Sequence, residues 1–129
     1  MSMLLNDFYK IASVSSKNDQ GQTLIDAALD LNKDHKIFEG HFPAVPIVPG
    51  VCMMQIVKEL IELNVEKKLQ VDTAPNLKFL SVINPQEHSH VKAEVKFKPS
   101  TDGNFDVEGK LYFESITFFK MKATAKVVK

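Results

Sequence analysis

His41 stands in the segment Gly40-His41-Phe42-Pro43-Ala44-Val45-Pro46-Ile47-Val48-Pro49-Gly50-Val51. An imidazole titrates near neutral pH, so it can both take and return a proton during a reaction. Pro43, Pro46 and Pro49 fix their own φ and push the residues before them towards extended geometry, which makes the loop stiff. Gly50 opens an apolar run that continues to Leu63. Backbone N–H groups at the start of a helix stabilise an oxyanion or a polarised carbonyl. A base, a rigid arm and an oxyanion site in ten residues describe proton-transfer chemistry beside a carbonyl group.

The elements around this loop follow from hydrophobic period. Gly50 to about Lys67 predicts the one long helix, with Val51, Met54, Val57, Ile61 and Val65 at three- and four-residue intervals and Ile56 and Leu60 widening the stripe. Lys58, Glu59, Glu62, Glu66 and Lys67 fall on its wetter side. Its first half, Val51 to Val57, is apolar nearly all round, as expected of a helix enclosed by a sheet. Upstream, Leu4 to Ser13 reads as a helical turn or edge strand, Ser15 to Gly21 as a polar turn, and Gln22 to Leu31 as a strand. After Pro75 the period becomes two. Leu77 to Ile83 reads as a buried strand stopped by Asn84-Pro85. His90 to Lys98, Phe105 to Glu114 and Ile116 to Val128 alternate apolar and polar residues, which predicts an antiparallel meander with one wet face. The class is α+β, and a sheet this long on a small chain leaves an apolar edge that a second copy can cover.

Length and composition narrow the partners. The 129 residues fit one domain, and 44% hydrophobic content is enough for an ordinary core. Sixteen basic residues balance sixteen acidic ones, so charge gives no reason to expect nucleic acid or membrane. All the basic residues are lysine, so an anionic partner is met by point charges and not by a guanidinium fork. Cys52 is the single cysteine, which suits a reducing compartment. The N-terminus lacks the look of a signal peptide, and no run approaches the ~20 apolar residues of a membrane span.

The layout and the proline motif resemble the hot-dog fold family, and within it the 3-hydroxyacyl-acyl-carrier-protein dehydratases of fatty acid synthesis. That family's signature is similar to G-H-F-P-x-x-P-x-x-P-G-V, standing here as Gly40-His41-Phe42-Pro43, Pro46 and Pro49-Gly50-Val51. The resemblance covers nearly the whole chain. It implies an antiparallel sheet wrapped around one long central helix, a single domain over residues 1–129, and active sites shared by two protomers. It implies His41 as a catalytic residue, the Gly50 N–H as donor to a thioester carbonyl, and Phe42 and Val51 as substrate-binding residues, with Met53 and Met54 as further tunnel candidates. The implied reaction eliminates water from a 3-hydroxyacyl thioester to give a trans-2-enoyl thioester, without cofactor or metal. The implied partners are an acyl carrier protein and either a second copy or a paralogue, in the cytoplasm.

One position departs from the pattern. Where the family carries its second catalytic group, a carboxylate on the central helix of the other protomer, this chain has Gln55. Glutamine can hold a hydroxyl by hydrogen bonds but has no proton to donate as an acid. Glu59 lies one turn further along, ~5.4 Å away, and a thiol such as Cys52 in an apolar setting is a poor acid near pH 7. Two readings therefore accompany the dehydratase: a non-catalytic or half-site acyl-binding subunit that needs a paralogue with a carboxylate, and a thioesterase on the same fold. His35, His88 and His90 read as surface or turn residues. The lysine-rich strand faces read as solvated.

Overall fold

The alternating runs pair into one sheet because each can bury a single face. The computed structural model describes residues 3–39 and 46–128. In chain order the elements are β1 (Tyr9–Asp19), β2 (Gln22–Leu31), a 3₁₀ turn (Lys36–Phe38), α1 (Gly50–Val65), β3 (Leu69–Phe79), β4 (His90–Pro99), β5 (Phe105–Phe113) and β6 (Ile116–Val127). The six strands form one antiparallel sheet in the order β1-β2-β4-β5-β6-β3. Ile25, Leu29, Val91, Val95, Leu111, Phe119 and Met121 line its inner face and are buried. Against them α1 sets Cys52, Met53, Ile56, Val57, Leu60 and Ile61, also buried. The sheet curls around the helix, but the first half of α1 is not enclosed on every side: Val51 is exposed and Met54 and Gln55 are half-buried.

Helix and sheet approach closely at Gly109 on β5. A Cβ there would lie 2.7 Å and 2.8 Å from the two methyls of Val57, which is fully buried and has no room to yield. Gly109→Ala should therefore destabilise the fold by about 1–3 kcal/mol through overpacking. The check is a lower urea midpoint with an unchanged denaturant slope.

Three expectations are corrected. Ser15 to Asp19 is strand, not turn: it pairs with β2 as far as Asp19↔Gln22. The reversal is confined to Gln20 and Gly21, both at positive φ (54° and 80°), the conformation of a two-residue hairpin. The segment is polar because most of it lies exposed at the sheet edge. The strand expected over Leu77 to Ile83 instead occupies Leu69–Phe79 and is mostly exposed. Pro75 is tolerated inside it because β3 is the other edge, with register shifts between Val71 and Thr73 and between Thr73 and Asn76. Finally, α1 ends at Val65, where Glu66 takes a left-handed φ of 57°. Its supposed wet side is partly dry, because Glu59 and Glu62 are buried.

Candidate active site

The head of α1 is held by the chain just before it. Val48 is buried and its N–H donates to the Ile83 carbonyl at 3.0 Å. Pro49 sits at the N-cap in extended geometry and has no side chain to cap with. The N–H groups of Cys52 and Met53 close onto the Pro49 carbonyl at 3.0 and 3.3 Å. Those of Gly50 and Val51 precede the helical ladder and carry the positive end of the helix dipole. A Cβ at Gly50 would meet the outer end of the half-exposed Phe79 ring at 2.7 Å, so that ring lies directly against the helix start and would have to shift. Beside it opens a cleft of about 360 Å³, walled by Ile47, Gly50, Met53, Phe79, Leu80 and Val82. Phe79, Leu80 and Val82 are each more than half exposed, as is Val51. This leaves an apolar strip running from the free edge of β3 to the start of α1.

About two and a half turns into the helix lies a buried polar cluster around Glu59, a residue that the sequence pattern placed on the wet side. The Glu59 carboxylate is 0% exposed. Its Oε2 accepts from the Leu4 N–H at 2.7 Å and from Gln55 Nε2 at 2.7 Å. Its Oε1 accepts from the Leu5 N–H at 3.0 Å and the Tyr9 hydroxyl at 2.9 Å. Burial, reinforced by the negative charge of Glu59, pushes the Tyr9 phenol well above its usual range, so it stays a donor. A carboxylate offers about four acceptor positions, and here all are taken. Glu59 therefore pins the N-terminal segment across the helix and is not free to act as an acid in place of position 55. The only hint in the sequence was a second acid one turn beyond a glutamine. Burial, followed by the charge of Glu59, likewise pushes the Cys52 thiol up. Glu62, the other buried acid, accepts from the Leu69 N–H at 2.8 Å.

The remaining candidates are placed as follows. His41 and Phe42 lie outside the described residues. The flanks of that loop are anchored, since Phe38 and Pro46 are buried and Phe38 packs on Phe8 at 5.7 Å between ring centroids. Met53 is core that also touches the cleft, while Met54 is half-buried. His35 and His90, read from the sequence as surface or turn residues, have acidic partners: His35 meets Asp7 at 3.1 Å, and His90 pairs with Asp30 across β2 and β4. His88 sits against Phe113 and Phe118. Among the described residues no group of His, Cys, Asp and Glu could hold a metal ion, and no helix is long and apolar enough to cross a membrane.

The outer face of the sheet carries its own feature. Lys78, Lys120 and Lys110 stand side by side in one register row across β3, β6 and β5. They border a shallow depression of about 530 Å³ shared with Lys96 and Lys122. Glu94 approaches Lys110 only to 3.9 Å, and Glu108 approaches Lys122 to 3.7 Å. The depression is ringed by lysines and opens on the side of the sheet away from the helix.

A six-stranded antiparallel sheet curled around one central helix is the hot-dog fold. Solved structures share it: an uncharacterized protein from Erwinia carotovora (TM-score 0.67, 15% identity, 92% of this chain and 94% of that one) and the dehydratase heterocomplex ApeI:P from Xenorhabdus doucetiae (TM-score 0.62, 17% identity, 90% and 96%). A putative thioesterase from Lactococcus lactis aligns at a TM-score of 0.68 with 11% identity over 92% and 91%, so shape alone does not separate the two chemistries. Sequence does. The chain belongs to the ApeI-like dehydratase family, whose model, described as ApeI dehydratase, matches residues 15–115. It is also 31% identical over 90 residues to the 3-hydroxyacyl-[acyl-carrier-protein] dehydratase FabZ of Rickettsia rickettsii, a match covering 60% of this chain and 62% of that protein. The chain thus spans less than two thirds of the length of that relative.

Proposed function

We propose that this protein is a dehydratase of 3-hydroxyacyl thioesters carried on an acyl carrier protein, working as one hot-dog domain in the cytoplasm. The observation that carries the reading is the family match over residues 15–115, which spans the loop of His41 and the head of α1. In the proposed step His41 removes the C2 proton, and the freed electron pair is delocalised onto the thioester carbonyl as an enolate. That pair then forms the C2–C3 double bond as the C3–O bond breaks, and the same proton passes from the imidazolium to the departing oxygen, leaving water and the enoyl thioester. The Gly50 N–H holds the thioester carbonyl while negative charge builds on its oxygen. Phe42 and Val51 contact the acyl chain. The step needs no cofactor, because only a proton moves.

The partners follow from the two unspent surfaces. The free edge of β3, with Phe79, Leu80 and Val82 exposed beside it, supports a dimer that continues the sheet. The row of Lys78, Lys110 and Lys120 supports attraction of an acidic carrier.

A second reading is favoured by Gln55 and by the saturation of Glu59. Neither can donate a proton, so this chain would be one half of a site completed by a paralogue. The relative described as a heterocomplex gives that reading a precedent.

The test is incubation of the protein with a 3-hydroxyacyl pantetheine thioester, following enoyl absorbance and free thiol together. Enoyl product without thiol release is expected, and it should be lost in His41→Ala. Thiol release would identify a thioesterase instead, and turnover indifferent to His41→Ala would end the proposal. An inactive homodimer that gains activity on Gln55→Glu would establish the half-site reading.

A further inference from the structure

We infer that Gln55 acts as a hydrogen-bond acceptor for the substrate's 3-hydroxyl, and that Glu59 is the positioning residue that turns its amide that way. The inference rests on the reading above in taking Gln55 as a site residue. The two ends of a glutamine amide differ only in which atom donates, and here the neighbour decides. Two backbone N–H groups and a phenol already donate to Glu59, so its oxygens are acceptors and a fourth partner must be a donor. Only Nε2 satisfies that, and it lies 2.7 Å from Glu59 Oε2. Reversing the amide would set two acceptor oxygens against each other at the edge of a dry cluster. With Nε2 held inward, Oε1 is the amide atom turned away from Glu59. The side chain is only partly buried, and no fully buried side-chain oxygen or nitrogen among the described residues lacks a partner, so an Oε1 with no protein donor reaches the surface.

The consequence is chemical. A hydroxyl has one proton to give and two lone pairs. If its O–H points at Gln55 Oε1, its lone pairs are left for a proton arriving from elsewhere. Position 55 then recognises and orients the leaving group, and His41 must carry the proton in both directions. A family site with a carboxylic acid at this position would donate to the leaving oxygen. Here the polarity of that contact is reversed.

The orientation is tested in the ligand-free protein by ¹⁵N NMR of its side-chain amides, with Gln55→Met assigning the signal. At least one Gln55 Nε2 proton should exchange with water markedly more slowly than that of a free glutamine, and Glu59→Gln should release it. An amide that exchanges freely in the wild type overturns the inference, whether or not Glu59→Gln folds. The acceptor role is tested by binding two pantetheine thioesters that cannot eliminate because they lack a C2 proton: a 2,2-difluoro-3-hydroxyacyl form and a 3-deoxy form. The wild type should prefer the hydroxy form about tenfold, and Gln55→Met should abolish the preference. Equal binding, or a preference unaffected by Gln55→Met, overturns it. A protected amide in a protein that binds neither thioester would refute the proposed function while upholding the role of Glu59, and it would refute the acceptor role with it.

Discussion

Glu59→Ala is expected to be among the most damaging single substitutions in this chain, lowering folding stability by about 4 kcal/mol or more. The carboxylate is buried and receives the N–H groups of Leu4 and Leu5, the Tyr9 hydroxyl and the Gln55 amide. Each donor left without an acceptor in a dry setting costs about 1–3 kcal/mol, and partial entry of water recovers some of that. Domains of this kind have only about 5–15 kcal/mol in total. The melting temperature should fall by about 15 °C, taking about 4 °C per kcal/mol for a domain of this size. The loss should be local in origin. Leu4, Leu5 and the β1 end at Tyr9 should become the first amides to exchange with solvent. Tyr9→Phe, which removes one donor and keeps the ring, should cost far less, about 1 kcal/mol. Equal stability of Glu59→Ala and the wild type in urea titration would mean that the cluster is not what holds the N-terminal segment.

Gln55→Glu should couple stability to pH in a way the wild type does not. It would set a second carboxyl at hydrogen-bond distance from Glu59, in place of a donor now 2.7 Å away. Two carboxylates so close cannot both ionise cheaply, so the pair retains a proton and its upper titration rises well above the ordinary carboxylate value. The folded state then binds a proton that the unfolded chain releases, so stability falls as pH rises above about 4.3. The variant should therefore match the wild type near pH 4, fall behind it as the pH rises through the folded-state titration of the pair, and stay behind by a constant amount above that. Parallel stability curves across that range would contradict the placement of Glu59 beside position 55.

Much of the architecture was legible from period alone. The alternation in His90 to Lys98 and in Ile116 to Val128 and the helical stripe from Gly50 each report one buried face, which is a property of neighbouring residues. Pro49 and Gly50 likewise announced the start of α1, because proline and glycine act through local dihedral limits. The edges misled for the opposite reason. The stretch around Ser15 looked like a turn because an edge strand needs no apolar face. Leu77 and Phe79 looked buried because apolar residues at a free edge have the same pattern as a strand in the core.

What the sequence determined by itself is the class of fold and the family, since both rest on local period and on a dense run of matched residues. What the tertiary structure decided is the chemistry available at the helix. Glu59 lies fifty or more residues from Leu4, Leu5 and Tyr9 along the chain. Only folding brings those donors to it, turning an apparently solvated acid into a buried acceptor with no capacity to spare. The same contact sets which end of the Gln55 amide faces outward, because hydrogen-bond polarity belongs to a pair of groups in space and not to either residue alone.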